Sequence, residues 1–267
     1  MAIIGGILLI ASIILFFVRL SQIKKLDCIQ SARLSTAQDI QQISSAVAQD
    51  IGAGSWQDYV KVYGKIACDV PIRSQVKNVD CAYYTTKVTR EYEEIVTTKD
   101  SEGKTKRETK RRSETVSQNS QSTPFWIVDS SGKIEVHPDD AKIETVEILS
   151  EFRPESHRGG STISFGGFSF STKSHRNGKG RTLGYKYEES ILPISREALV
   201  VGMATDATAT PTIRKPDDNK QQFIISLKTE GELTKSVTRT AQQMFYAMLG
   251  CLGIGALLFG VGIARGV

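Results

Sequence analysis

The side chains that most often perform chemistry in proteins are few in this chain and widely spaced. Its histidines and cysteines are His137, His157, His175, Cys28, Cys68, Cys81 and Cys251. Zinc sites draw these residue types from short spacings such as Cys-x-x-Cys, and no such spacing occurs here. No arrangement of serine, histidine and aspartate indicates a catalytic triad, and no glycine-rich phosphate loop is found. We therefore expect no catalytic residues, no metal site and no cofactor.

Two of the cysteines, Cys68 and Cys81, lie on neighbouring predicted strands. Two interpretations stay open for them. They could contact each other, or they could be separate buried thiols that act as small hydrophobic side chains. The second interpretation is favoured.

A basic run occupies a predicted hairpin tip over residues 99–115. Its positive residues between positions 104 and 112 are Lys104, Lys106, Arg107, Lys110, Arg111 and Arg112. Such a run can contact anionic lipid or nucleic acid. The alternative is a solvated tip, which the interleaved Glu102, Glu108 and Glu114 favour. No aromatic residue is interleaved for base stacking, so nucleic acid is not an expected partner.

A second loop-like insert, over residues 153–181, is rich in glycine, serine and phenylalanine and contains a possible hairpin around residues 165–170. Phe165, Phe168 and Phe170 stand there among small residues that build no core of their own. These three are the candidate partner-binding residues, because exposed aromatic area marks binding sites. The alternative is that they fold back and cap a sheet.

The elements that must position these residues begin with an apolar segment at each end of the chain. Residues 2–20 and 244–264 are each predicted to form a transmembrane helix, since about 20 apolar residues cross a hydrocarbon core. No Lys or Arg precedes the first segment, and Arg19, Lys24 and Lys25 follow it, which favours an uncleaved anchor over a signal peptide. We therefore expect a two-pass integral membrane protein with the lipid bilayer as a partner.

Small residues at helical spacing occur in both apolar segments. Ala2 and Gly6 show this spacing in the first, and Gly255, Ala256, Gly260 and Ala264 are the candidate packing residues in the second. Such stripes let helix backbones approach closely in lipid. They are compatible with a hairpin of the two spans, with a homo-oligomer through the second span, or with the ordinary composition of a span.

The charges that flank the two apolar segments predict an orientation. Lys and Arg residues cluster on the side of the central region, in the stretches around residues 19–33 and 228–239. Only Arg265 flanks the other side. The positive-inside rule therefore places the central region in the cytoplasm.

The central region, residues 27–240, is predicted to be a single α+β domain. Thr36 and Asp39 form a capping-box pattern at the start of a helix that ends near Gly52. Residues 59–66 then alternate with period two, and further strands follow until a polar helix at 229–243 leads into the second apolar segment. The predicted fold class is α+β, a β-rich single domain held between two transmembrane helices.

The order of these features resembles a known family. The stretches that carry the resemblance are "DCAYYTTKVTREYEE" with Cys81 and Tyr84, "STPFWIVDSSGKIEVHPDDAKI" with Pro124, Phe125, Asp129 and Gly132, "LGYKYEESILPISREALVVGMA" with Glu188, Leu192 and Gly202, and "FIISLKTEGEL". Together they resemble the mitochondrial ubiquitin ligase activator family, MULAN or GIDE, whose central module is the "beside a membrane" (BAM) domain. The resemblance implies two spans, with the module on the side of the membrane away from the cytosol.

In that family a RING finger after the second span supplies the ligase activity. A RING finger needs about eight Cys and His ligands for two zinc ions. Only Arg265, Gly266 and Val267 follow Ala264 here, so no ligand position carries over. We expect a RING-less member that serves as a membrane-anchored, non-catalytic binding or scaffold module. The alternatives are a ubiquitin-ligase pathway component that acts with a separate RING-bearing partner, and a membrane hydrolase whose site the sequence does not reveal.

Overall fold

The computed structural model of the chain describes residues 2–99, 105–155, 162–165, 168–171, 181–207 and 210–264. The helices are α1 (Ala2–Ser31), α2 (Ala37–Ile51) and α3 (Glu230–Ala264). The strands are β1 (Arg33–Leu34), β2 (Gln57–Ala67), β3 (Ile72–Arg73), β4 (Asp80–Lys99), β5 (Thr105–Ser122), β6 (Phe125–Val128), β7 (Lys133–Val136), β8 (Lys142–Ile143), β9 (Val146–Pro154), β10 (Thr162–Phe165), β11 (Phe168–Ser171), β12 (Arg181–Pro193), β13 (Glu197–Thr205), β14 (Thr212–Arg214) and β15 (Ile224–Ser226). The predicted class, a β-rich α+β fold flanked by two apolar helices, is confirmed.

A small barrel forms the centre of the domain. Strands β2, β6, β7, β14 and β13 pair in that order, and β13 pairs back onto β2, so the strands form a closed ring. The alternation predicted for β2 places Val60, Val62 and Ile66 inside this ring. Gly64 allows β6 to come close, since a Cβ atom there would lie 2.5 Å from the Val128 carbonyl oxygen. The barrel interior is therefore the main hydrophobic core.

Helix α2 is joined to this barrel at its N-terminus. The capping box predicted from the sequence is present: the Thr36 hydroxyl accepts from the Asp39 amide, and the Asp39 carboxylate accepts from the Thr36 amide. Ile40 is fully buried in the barrel core. In addition, the Asp129 carboxylate in the β6–β7 turn accepts from the Ala37 amide at 2.8 Å. The turn and the helix N-terminus therefore hold each other in place.

Helices α1 and α3 cover the outer face of the barrel strands β2 and β13 and of β15, which pairs with β13. Ile29 from α1 and Leu233 and Val237 from α3 are buried against Leu199 and Ile224. Lys61, on the outer face of β2, lies between the two helices: its Nζ donates to the Ile29 carbonyl at 3.1 Å and to the Glu230 carboxylate at 2.6 Å. One lysine of the barrel therefore binds both helices.

A second sheet consists of β5, β4, β12 and β9 side by side, with β3 beside the first residues of β4. Its near end joins the barrel core through Ala82 and Leu192. From Ala82 to Lys99 the strand β4 extends about 55 Å at roughly 3.3 Å per residue. The second sheet is therefore a long projection from the barrel.

The boundaries of three predicted segments differ from those of the structural elements that contain them. The segment 99–115 was predicted to be a hairpin tip, but β4 continues to Lys99 and β5 begins at Thr105, so Lys106 to Arg112 lie on a strand. Residues 95–98, which are rich in β-branched side chains, pair with this part of β5 and extend the β4–β5 ladder. Helices α1 and α3 contain the apolar segments 2–20 and 244–264 and extend from them into the domain.

We expect unequal effects from removing the two partners of the buried ion pair. The side chain of Lys61 is 8% exposed and that of Glu230 is 39% exposed. Glu230→Ala leaves a buried ammonium without its carboxylate and should lower the free energy of unfolding by about 3 kcal/mol. Lys61→Met leaves a carboxylate that water can reach and should cost roughly 1 kcal/mol. Chemical denaturation of the full chain in detergent measures both, and a larger loss for Lys61→Met would contradict this account.

A second expected effect concerns Asp129 and pH. Burial raises the pKa of the Asp129 carboxyl, but hydrogen bonds from the Ser131 hydroxyl and from the Ala37, Ser131 and Gly132 amides outweigh burial and lower it. A lowered pKa in the folded state stabilises the fold above the ordinary carboxyl pKa, and this contribution is lost as the pH falls through the folded-state value.

Asp129→Asn should therefore cost about 1–2 kcal/mol at neutral pH, in line with the loss of a helix cap. The difference in the free energy of unfolding between variant and wild type should shrink as the pH falls below about 4. Thermal unfolding as a function of pH measures it. Asp217→Asn makes the same chemical change at an exposed position and serves as the control. An equal effect of the two substitutions would argue against the capping role.

Candidate functional site: the helix hairpin and the distal end of the second sheet

Two regions of the molecule bring together residues that the sequence singled out. One is the hairpin of α1 and α3, both long and apolar enough to cross a membrane by length and composition. The other is the end of the second sheet that lies away from the barrel, called here the distal end and defined by residues 93–99 of β4, 105–111 of β5 and the start of β12 at Arg181.

The two helices pack closely at Gly5. A Cβ atom at Gly5 would lie 2.5 Å from the Phe259 backbone nitrogen and 2.8 Å from the Gly255 carbonyl oxygen. At Gly255, a Cβ atom would lie 3.1 Å from the Leu8 Cβ atom. Further along, the guanidinium of Arg19 lies 4.6 Å from the centre of the Phe245 ring. The helices are therefore antiparallel and in contact from their apolar ends to the domain.

The four candidate packing residues of the second apolar segment do not share one environment. Gly255 is buried against α1, whereas Ala256, Gly260 and Ala264 are exposed. A Cβ atom at Gly260 would meet nothing within 4 Å. In the first apolar segment, the spacing of Ala2 and Gly6 predicts a close helix contact at Gly6, but the close contact with α3 is at Gly5. The small residues of the second apolar segment are thus divided between a face that contacts α1 and a face that is exposed.

The distal end brings two other predictions together. Strand β9 ends at Pro154, which pairs with Gly184, and β12 begins at Arg181, which pairs with Glu93. The phenylalanine-rich insert therefore leaves and rejoins the sheet at the level where the basic part of β5 begins, since Arg111 also pairs with Glu93. The basic strand and the insert share one end of the domain.

Most of the basic side chains at the distal end have acidic neighbours. Arg111 lies 3.7 Å from Glu93 and Arg112 lies 3.6 Å from Glu94, both across the β4–β5 pair. Lys106 and Lys110 lie 2.9 Å and 3.8 Å from Glu108. Arg107 is exposed, and Lys104 lies outside the described residues. This pattern of exposed pairs is typical of a solvated strand, and each pair contributes little to stability.

The backbone of the insert forms a short hairpin. Strands β10 and β11 pair so that Phe165 lies opposite Phe168 and Ile163 lies opposite Phe170. This agrees with the hairpin expected around residues 165–170. The side chains of the three phenylalanines lie outside what the structure describes, as do His157 and His175.

The residues of the resemblance serve mainly to build the fold. Phe125 and Leu192 are buried in the barrel core, Asp129 caps α2, and Cys81 and Tyr84 are buried in a small cluster of the second sheet. Cys68 and Cys81 are free thiols; Cys81 is buried, as the favoured interpretation has it, whereas Cys68 is only partly buried. Burial raises the pKa of the Cys81 thiol to about 11, so this thiol stays protonated and unreactive at neutral pH.

Sequence reasoning missed four buried charged residues in the described part of the chain: Lys61, Arg90, Glu189 and Asp206. Besides Lys61, Glu189 on β12 is fully buried, and its carboxylate accepts four hydrogen bonds, from Ser74, Thr86, and the amides of Val76 and Lys77. It holds the segment before β4 against the second sheet. Glu189 stands in a β-strand of mixed polarity, and no local pattern marks it, because its partners come from distant parts of the chain.

Within the described residues, no group of three or more His, Cys, Asp and Glu side chains could hold a metal ion. The arrangement of the chain is that of an α+β domain held between two apolar helices that pack as a hairpin. Residues 93–260, more than half of the chain, match the family described as GIDE, E3 ubiquitin ligase. The chain therefore belongs to the GIDE family of E3 ubiquitin ligases. No curated protein and no solved structure matches it.

The contrast between two adjacent glycines gives a test of the hairpin. Gly5→Ala forces the backbones of α1 and α3 apart and should cost about 1–3 kcal/mol, as overpacking does. Gly6→Ala adds the same methyl group into open space and should be neutral or slightly stabilising, because alanine favours helix. Thermal unfolding of the full chain in detergent distinguishes them, and equal effects would argue against the α1–α3 contact.

Proposed function

We propose that the chain is a two-pass membrane protein whose β-rich domain acts as a non-catalytic binding or scaffold module at the bilayer surface. The module corresponds to the BAM domain that the sequence resembles. The observation that carries the proposal is the helix hairpin. Its two apolar segments pack on each other, and each continues without a break into the part of the same helix that covers the barrel.

The length of the hairpin supports its insertion into a bilayer. From Ala2 to Val18, α1 spans about 25 Å, and from Phe245 to Ala264, α3 spans about 29 Å, at roughly 1.5 Å per residue. A hydrocarbon core is about 30 Å thick. Large apolar side chains are exposed along both segments, including Ile7, Ile14 and Leu257. The Arg19–Phe245 contact marks the membrane border on the side of the domain.

The flanking charges favour a cytoplasmic domain under the positive-inside rule, while the family resemblance favours the opposite side. We propose the cytoplasmic side, because the lysines and arginines next to the border are features of this chain itself. Helix α1 presents Arg19, Lys24 and Lys25, and α3 presents Lys235 and Arg239.

The distal end is the proposed partner-binding region. It joins the basic strand and the phenylalanine-rich hairpin, and it projects from the barrel on a long sheet. Exposed aromatic anchors contribute most of the binding energy in protein interfaces. We assign the anchor role to Phe165, Phe168 and Phe170.

A second candidate function follows from the family. As a member of a family of E3 ubiquitin ligases, the chain could act in ubiquitin transfer together with a separate RING-bearing partner. Co-purification of a RING protein whose ligase activity depends on this chain would favour that function over a scaffold without a role in ubiquitin transfer.

The proposal is tested on the full chain in its native membrane. We expect the protein to resist carbonate extraction with both ends intact, because the hairpin is anchored by two spans. Crosslinked complexes should be lost when Phe165, Phe168 and Phe170 are all changed to serine, while carbonate resistance and thermal stability are unchanged. The matched control changes Val70, an exposed apolar residue outside the distal end, to serine.

Release by carbonate, or a mature chain that begins after Val18, would overturn the membrane-anchored function. Retention of all complexes by the triple serine variant would overturn the partner-binding role of the distal end. A glycosylation acceptor inserted between residues 99 and 105 reports the side of the membrane, and its modification would contradict the cytoplasmic placement.

A further inference from the structure

A cavity lies where the two helices meet the edge of the barrel sheet. Its volume is about 390 Å³, within the range of ordinary ligand pockets. Helix α1 contributes Gln22 and Lys25, α3 contributes Ser236 and Thr240, and the region of β8 and β15 contributes the remaining wall. The cavity lies outside the distal end, and neither the family match nor the resemblance assigns it a role.

The charge of this cavity is positive. Its wall includes Lys25, Lys142 and Lys228, with Glu144 as the acidic residue among them. The Glu144 carboxylate accepts from Lys228 at 2.9 Å and from the Ser226 hydroxyl at 2.5 Å. Burial raises the pKa of the Glu144 carboxyl, but these hydrogen bonds outweigh burial and lower it, so Glu144 is ionised at neutral pH. Three ammonium groups around one carboxylate leave a net charge of about +2.

The lysines keep hydrogen-bonding capacity for a ligand. Each ammonium group has three donors. Lys142 donates to the Gln222 side chain at 3.0 Å, and Lys228 donates to Glu144. Donors therefore remain for an anion with several acceptor oxygens. The wall also contains Ile224, Leu233 and Val237, which suit the uncharged part of an amphiphilic ligand.

The depth of the cavity identifies the kind of anion. Gln22 lies one helical turn from Arg19, about 5 Å along α1, and Thr240 lies about 8 Å along α3 from Phe245. Arg19 and Phe245 mark the border of the hydrocarbon core in the proposed anchoring. The headgroup layer beyond that border is about 5–8 Å thick on each side. Gln22 and Thr240, which form the wall of the cavity nearest the membrane, are therefore level with the headgroup layer, and Lys25 lies farther into the domain, about 9 Å from Arg19 along α1.

We infer that this cavity binds the phosphate headgroup of an anionic phospholipid, with Lys25, Lys142 and Lys228 as the phosphate ligands. The inference rests on the proposed membrane anchoring. Basic pockets beside membrane helices bind lipid headgroups by the same chemistry. A soluble phosphate offers similar oxygens, but it lacks the apolar chain and is not concentrated at this depth.

The test uses the full chain in nanodiscs of phosphatidylcholine alone or mixed with phosphatidylglycerol, with bound lipid counted by native mass spectrometry. We expect wild type to retain phosphatidylglycerol selectively. Each of Lys25→Gln, Lys142→Gln and Lys228→Gln should weaken retention by about fivefold, the effect of one basic residue at an anionic surface. Glu144→Gln should strengthen retention, because it removes the competing carboxylate.

The matched controls are Lys106→Gln, Lys110→Gln and Arg111→Gln, each made singly, so that each removes one positive charge from the distal end as each cavity variant does. Retention by the controls as in wild type supports the cavity as the site. Equal losses in the controls and in the cavity variants would overturn it, since they would reflect net charge alone.

A further arm adds inorganic phosphate or glycerol 3-phosphate at the same concentration as the anionic lipid. Displacement of the lipid by inorganic phosphate at equal concentration would overturn the lipid source in favour of a soluble phosphate. Failure of the chain to enter neutral nanodiscs would refute the membrane anchoring itself. Entry without selective retention of phosphatidylglycerol would refute the inference about the cavity and leave the anchoring intact.

Discussion

The structure depends on one buried ammonium group. Lys61 projects from the outer face of the barrel and binds the last turns of α1 through the Ile29 carbonyl and the first turn of α3 through Glu230. An unpaired charge buried in this place would cost several kcal/mol, so covering Lys61 is favourable only when both helices supply their acceptor oxygens. Ile29, Leu233 and Val237 bury apolar surface of the two helices against the barrel around this lysine. Lys61 in turn favours the arrangement in which both helices are present together. As a result, the helix hairpin and the barrel form one unit.

Much of this architecture follows from local sequence patterns. The capping box at Thr36 and the alternation in β2 are signals between near neighbours, and the structure has both elements where those signals place them. The alternation in β2 shows a strand, but it does not show that the polar face is covered as well. Lys61 on that face is buried because α1 and α3, which are distant in sequence, lie over it. The extension of β4 and β5 through a highly charged segment was missed for a related reason. The residues that pair across it, such as Arg111 with Glu93, can be identified only once the register of the two strands is known.

The candidate sites show the same limit. Small residues in an apolar helix indicate close packing, but only the geometry of the pair distinguishes Gly5, which touches the α3 backbone, from Gly6, which faces open space. Likewise, the basic strand and the phenylalanine-rich insert are separate in the sequence, and the pairing of Arg181 with Glu93 brings them to one end of the domain. The cavity lysines come from three different elements, α1, β8 and the segment before α3, so no sequence motif contains them. The family resemblance, by contrast, depends on residues such as Phe125 and Asp129 that build the fold.

The unbroken helices have a mechanical consequence for the long second sheet. Because α1 and α3 enter the domain without a hinge and are bound there by Lys61, a tilt of the hairpin in a bilayer must be transmitted to the barrel. The second sheet extends about 55 Å from the barrel core and acts as a lever. Membrane helices adopt tilts over a range of about 40°, and tilt responds to bilayer thickness. A change of roughly 10° would move the end of the lever by about 10 Å. In the proposed anchoring, the thickness of the surrounding membrane would thus set the position of the distal end relative to the bilayer.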